Sequence, residues 1–242
     1  NYSIRIKKLN SKKLINNNLI AIPLAIKQSN QRNSMSNKKS SKKKINLSKQ
    51  EILSDYRIAN ESRQASLLGR REVLTGKAKF GIFGDGKEVP QLAMARAFKK
   101  GDWRSGYYRD QTFMMATGMM TLEEIFAQLY GDTDPLATPA NGGRLMNNHF
   151  ATRSLDDNGN WLNLMKQPNS SADSSPTASQ MPRLLGLALA SKHFKNTPEL
   201  DTFTEFSNKG TEVAFGTIGD ASTSEGHFFE TINAAGVMQV PL

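Results

Sequence analysis

The chain has 242 residues, enough for one large domain or two small ones, and its lack of cysteine excludes both disulfides and a thiolate metal site. Its formal charge of +10 is unevenly spread: residues 1–50 hold 13 Lys and Arg and no acid, so the other 192 residues, with 19 basic and 22 acidic side chains, are net −3. A mildly acidic body gives no electrostatic case for binding a nucleic-acid backbone, and no apolar run approaches the length that spans a bilayer.

Residues 1–47 are rich in Lys, Asn, Ser and Ile and show neither helix nor strand periodicity, which predicts a disordered basic tail. The apolar stretch 19–26 contains Pro23 and is too short and poorly framed for a signal peptide. Residues 1–34, ahead of Met35, read as translated upstream sequence of an AT-rich genome. A transit peptide and a nucleic-acid-binding arm are the competing readings, and the small number of arginines, Arg5 and Arg32, argues against the first.

Order is expected from Ser48, where Ser48 and Glu51 have the spacing of a capping box. Ile52, Tyr56, Ala59 and Arg63 then follow one face of a helix running towards Leu74. Gly84-Asp85-Gly86 precedes a second helix, over 90–99, without a clear buried strand before it. Thr121 and Glu124 form another capping box, opening a helix that ends near Gly131. Residues 132–148 read as loop and 154–175 as a surface excursion. A Leu- and Ala-rich helix over 182–194 is expected to be buried on most sides. Residues 212–218 read as a buried strand, 219–226 as a tight polar turn, 227–239 as a helix and 240–242 as the start of another strand. The fold class is α/β, with a mainly parallel sheet flanked by helices and cut off mid-sheet.

Ligands of open α/β sheets bind beyond the carboxyl ends of strands. Gly219-Asp220-Ala221-Ser222 sits at such an end. Gly219 would allow a sharp turn, Asp220 offers a hard oxygen suited to magnesium, and the amides after it can cradle phosphate. Helix capping by Asp220 accounts for the same pattern equally well.

Gly219-Asp220-Ala221-Ser222-Thr223-Ser224-Glu225-Gly226, followed by Glu230, Asn233 and Ala234-Ala235, resembles the opening of the thiamine-diphosphate motif. The form is that of alpha subunits of 2-oxo acid dehydrogenases, with Ala221 where the family usually has glycine. Three more stretches fall in the family's order: Gly106-Tyr107-Tyr108-Arg109-Asp110, the loop Gly143-Arg144-Leu145-Met146-Asn147-Asn148-His149, and the Ser-rich turn from Ser174 to Pro182. From about residue 51 onward the chain looks like the front half of such a subunit, of branched-chain-like or related bacterial type.

The resemblance implies oxidative decarboxylation of a 2-oxo acid, with acyl transfer to a lipoyl group on an acyltransferase partner. It implies thiamine diphosphate bound by Tyr108, Arg109, Ser175, Thr177, Gly219, Asp220, Ala221 and Ser222, with Asp220 on magnesium. Potassium, where branched-chain members use it, would take Ser174, the Pro176 carbonyl, Ser179 and Gln180; a Ser/Pro turn leading into the next helix explains those residues without an ion. His149 would lie near the substrate channel, while His193 and His227 match no role. The activating glutamate belongs to a beta subunit or fused beta half. The catalytic histidine and the second magnesium ligand are expected downstream of Leu242, so this stretch alone would be an inactive fragment. The expected setting is the cytoplasm of a bacterium, or the mitochondrial matrix in a eukaryote. An acetoin dehydrogenase alpha subunit would keep most of these motifs. A transketolase relative would order them differently, and the Tyr108-Arg109 match argues against it. A basic-tailed nucleic-acid-binding or scaffold protein is the reading from another class.

Overall fold

A computed structural model describes residues 46–242. The expected tail lies, up to residue 45, outside the described residues. Among the described residues, six helices flank a small sheet: α1 Lys49–Leu74, α2 Glu88–Ala97, α3 Gln111–Ala116, α4 Leu122–Tyr130, α5 Gln180–Asn196 and α6 Gly226–Met238. The strands are β1 Trp103–Ser105, β2 Asn169–Ser170 and β3 Ala214–Gly216, all parallel, in the order β2-β1-β3. Trp103 pairs with Asn169 on one side and Ala214 on the other. Among the described residues, no helix is long and apolar enough to cross a membrane.

Both expected capping boxes form. Ser48 and Glu51 close the start of α1, and Thr121 and Glu124 that of α4, with reciprocal side-chain and backbone bonds. The face that α1 buries differs from expectation. Ile52 and Tyr56 are exposed, whereas Ser62, Ala65, Ser66 and Gly69 are buried. Small side chains let α3 approach closely enough for Gln111 Nε2 to donate to the Ser62 carbonyl at 2.9 Å.

Three other expectations are corrected. Residues 154–175 are no surface excursion, because β2 and the buried Asn169, Ser170 and Asp173 lie within them. Helix α5 buries one stripe (Met181, Leu184, Ala188 and Ser191) rather than most of its surface, and Pro182, Gly186 and Ala190 are exposed. Residues 240–242 form no strand, although the Ala214 N–H donates to the Pro241 carbonyl at 2.9 Å.

Apolar packing is divided among three clusters. One joins α5 to β3 through Met181, Leu184, Ala188 and Ala214. Another centres on Phe83 and Leu129, and a third on Phe113, Met114 and Phe150. Asp102, at the head of β1, accepts the backbone N–H groups of Val213 and Lys99, both at 2.8 Å, and so links the approach to β1 with the approach to β3.

Candidate functional site

Parallel strands deliver the loops at their carboxyl ends to the same side of the sheet. Here those loops meet in one cleft of about 190 Å³. The segment after β1 contributes Tyr107 and Tyr108, that after β2 contributes Ser174, Ser175, Pro176, Thr177 and Gln180, and that after β3 contributes Ser222. Met146 and His149 line it from the long loop before β2.

Tyr108 and Arg109 lie in a 3-10 turn, Tyr108–Asp110, directly before α3. The Arg109 guanidinium sits 4.9 Å from the Tyr108 ring centre and makes a 3.4 Å bond to the Phe83 carbonyl, but no salt bridge among the described residues. The Arg109 carbonyl accepts from Gln91 Nε2 at 2.5 Å and packs against Gly84, where an added Cβ would approach it to 2.6 Å. The Gly84-Asp85-Gly86 turn thus supports the Tyr-Arg turn and leads into α2, with no strand before it.

His149 is buried. Its Nδ1 lies 3.2 Å from the Asn147 carbonyl and its Nε2 3.1 Å from the Ser175 hydroxyl. A carbonyl can only accept, so a neutral ring carries its proton on Nδ1 and presents the Nε2 lone pair to Ser175. His149 also borders a second cavity of about 280 Å³, lined by Met119, Met120, Phe150 and Leu162 among others.

After β3, Gly219 has no left-handed backbone angle, and a Cβ there would meet its neighbours only at 3.4 Å, so the turn does not draw on glycine's special freedom. Ala221–Ser224 is a 3-10 turn that accommodates Ala221 in place of glycine. The Ser222 N–H is spent on the Gly219 carbonyl at 3.0 Å. Asp220 precedes this turn, is exposed and makes no side-chain cap bond, so helix capping does not account for it. Arg109 and Asp220 flank the cleft in sequence without lining it.

The Ser-rich turn closes on itself. The Ser174 and Ser179 hydroxyls bond to each other, the Pro176 carbonyl accepts the Ser179 N–H at 3.1 Å, and Gln180 Nε2 donates to the Thr217 carbonyl at 2.9 Å. These bonds account for the turn without a cation.

Two contributors carried no usable signal in the sequence. His227, which matches no family role, places Nε2 3.0 Å from the Thr177 carbonyl and ties α6 to the cleft wall. Beneath the floor, Arg104 pairs with Asp110 and Asp173, all buried. No hydrophobic pattern marks a buried arginine in Trp103-Arg104-Ser105.

A cleft built where parallel strands end, with serine and tyrosine walls, is the arrangement of an α/β protein whose strand-end loops form its ligand site. Residues 60–242 match the family model described as the dehydrogenase E1 component, and the chain belongs to that family. Membership implies dependence on thiamine diphosphate. The chain is 29% identical over 203 residues to the 2-oxoisovalerate dehydrogenase subunit alpha of Bacillus subtilis, covering 82% of this chain and 51% of that protein. It is 26% identical to the pyruvate dehydrogenase E1 component subunit alpha of Acholeplasma laidlawii, over 81% of this chain and 45% of that one. With the mitochondrial 2-oxoisovalerate dehydrogenase subunit alpha 1 of Arabidopsis thaliana the identity is 28%, over 69% and 29%. The chain therefore spans about half the length of the bacterial relatives and under a third of the plant one.

Proposed function

We propose that this chain forms the alpha-type part of a thiamine-diphosphate-dependent first component that decarboxylates a 2-oxo acid. The observation that supports this most is the convergence of all three strand-end loops on one cleft, with each loop bringing a motif that the family resemblance singles out. The residues present fit the cofactor. The Arg109 guanidinium makes one long bond, to the Phe83 carbonyl, and no salt bridge among the described residues, and the Asp220 carboxylate, in the segment after β3, makes no cap bond.

When bound, thiamine diphosphate supplies the nucleophilic carbon and the electron sink that decarboxylation needs. Arg109 would hold the diphosphate through its planar fork, and Asp220 would hold it through magnesium. Tyr108 and Thr177 would orient the aminopyrimidine, with Ser175, Gly219, Ala221 and Ser222 completing the wall. His149 places Nε2 3.1 Å from the Ser175 hydroxyl, which orients that serine at the cleft wall. The partners of this reading are a beta subunit or fused beta half and a lipoyl-bearing acyltransferase, in the cytoplasm or the mitochondrial matrix. Potassium, where a branched-chain-like member uses it, would take Ser174, the Pro176 carbonyl, Ser179 and Gln180, whose oxygens keep lone pairs beyond the bonds that close the turn.

The test is cofactor titration in the full-length protein. Arg109→Ala and Asp220→Ala should each weaken magnesium-dependent thiamine diphosphate binding about tenfold or more, with the melting temperature unchanged. Arg109→Lys should also bind less well, since a point charge does not replace a fork. Normal binding by Asp220→Ala would sink the magnesium assignment. Carbon dioxide release from 2-oxo acids, set against cleavage of acetoin, separates this reading from an acetoin dehydrogenase.

A further inference from the structure

The floor of the cleft is organised by one side chain. Arg104, on β1, is 1% exposed, and all five of its N–H donors are used. Nε donates to Asp110 at 2.8 Å; Nη1 to the Ser170 hydroxyl at 2.8 Å and to Asp173 at 3.0 Å; Nη2 to Asp173 at 3.0 Å and to the Tyr107 carbonyl at 3.2 Å. The acceptors carry the network onward. Asp110 receives the Thr217 hydroxyl at 2.6 Å and the Tyr107 N–H at 3.3 Å, and Asp173 receives the Phe150 N–H at 3.0 Å.

Each spoke ends beside a proposed ligand-binding residue. Tyr107 and Asp110 bracket Tyr108 and Arg109. Asp173 precedes Ser174 and Ser175, Phe150 comes directly after His149, and Thr217 lies two residues before Gly219. The strands leading into these loops have three, two and three residues, too few for their ladders to hold the loops in place. A guanidinium with five fixed directions can set the distances between loops where apolar packing would let them slide.

We propose that Arg104 is the positioning residue of the cleft, registering the three strand-end loops and the His149 segment on one another; its bearing on cofactor binding rests on the function proposed above. A buried ion cluster of this kind does little for net stability relative to an apolar replacement. Its effect is on geometry, and the test must read geometry.

The experiment is hydrogen exchange on the full-length protein, alongside titration with thiamine diphosphate and magnesium. Arg104→Leu combined with Asp173→Val and Asp110→Asn removes the three charges together and leaves the side chain at position 110 within reach of Thr217. We expect this variant to keep the amide protection of α1 and α4. It should lose protection in segments 106–111, 149–152, 173–179 and 217–222 together, and bind the cofactor about tenfold or more weakly. Thr217→Val should lose protection only in 217–222. If the triple variant does not fold, Arg104→Lys, which keeps the charge without the fork, should show the same pattern in weaker form. Protection unchanged in these segments, or lost evenly over the whole molecule, overturns the proposal. Failure of the unsubstituted protein to bind thiamine diphosphate would sink the proposed function instead, while the exchange pattern would still decide the role of Arg104.

Discussion

Gly106 shows how closely the backbone tracks the ion cluster. A Cβ at this position would stand 2.0 Å from the Asp110 carboxylate and 2.7 Å from the Arg104 Nε, and neither group can withdraw without leaving a buried charge unpaired. Gly106→Ala should therefore destabilise the protein by about 3 kcal/mol, measured by urea unfolding, even though glycine to alanine outside such a site usually helps. Burial opposes the charge on Arg104, yet Asp173 and Asp110 outweigh it and push the guanidinium above its ordinary value. Burial raises the Asp173 carboxyl, with Arg104 and the Phe150 N–H pulling it down. Glu88 is the simpler case. Its bonds to Arg63, at 2.7 and 2.8 Å, lower its carboxyl from 4.5 to about 2. Because the folded value lies below the unfolded one, the stabilisation is present in full above about pH 4.5 and disappears as the pH falls towards 2. Glu88→Gln should flatten the acid limb of stability in that window. Parallel acid unfolding of the two proteins would count against the assignment.

At the scale of elements, the helices announce themselves through their ends. Thr121 accepts the Glu124 N–H at 3.2 Å and Glu124 returns to the Thr121 N–H at 2.6 Å, so the box legible in sequence is the box that forms. Thr121→Ala should cost about 1 kcal/mol in thermal or chemical unfolding, with the loss confined to that helix start. Faces are harder to read than ends. Helix α1 buries Ser62, Ala65, Ser66 and Gly69, a stripe of small residues that an apolar-periodicity argument passes over. What selects it is close approach: a Cβ on Gly69 would come within 2.4 Å of the Phe83 ring, and Ser62 and Thr112 share a 2.7 Å bond across the interface. Strands β1 and β2 are shorter still, and their buried Arg104, Asn169 and Ser170 are polar. Arg104 and Ser170 are compensated by partners far along the chain, which no local pattern records, whereas Asn169 bonds mainly to Leu164 and Gln167.

Across the whole molecule, apolar packing is divided among clusters joined by polar contacts. Phe113 is fully buried in one and Leu184 nearly so in another, with no cluster member shared. Each alanine substitution should cost about 3 kcal/mol, and the double variant should lose the sum within about 0.5 kcal/mol. A larger departure from additivity would mean that the clusters communicate through the sheet. The sequence alone determined the α/β class, the order of the motifs, the helix caps and the placing of Asp220 after a strand, because these depend on neighbours along the chain. Only the tertiary structure decided that the segments after β1, β2 and β3 share one cleft, that His149 faces Ser175, that His227 reaches Thr177, and that Arg104 lies beneath them. Those facts depend on contacts across 26 to 69 positions of the chain. A buried charge is tolerated only where such distant partners meet it, so its place in the fold is fixed by the assembled structure and not by the residues on either side.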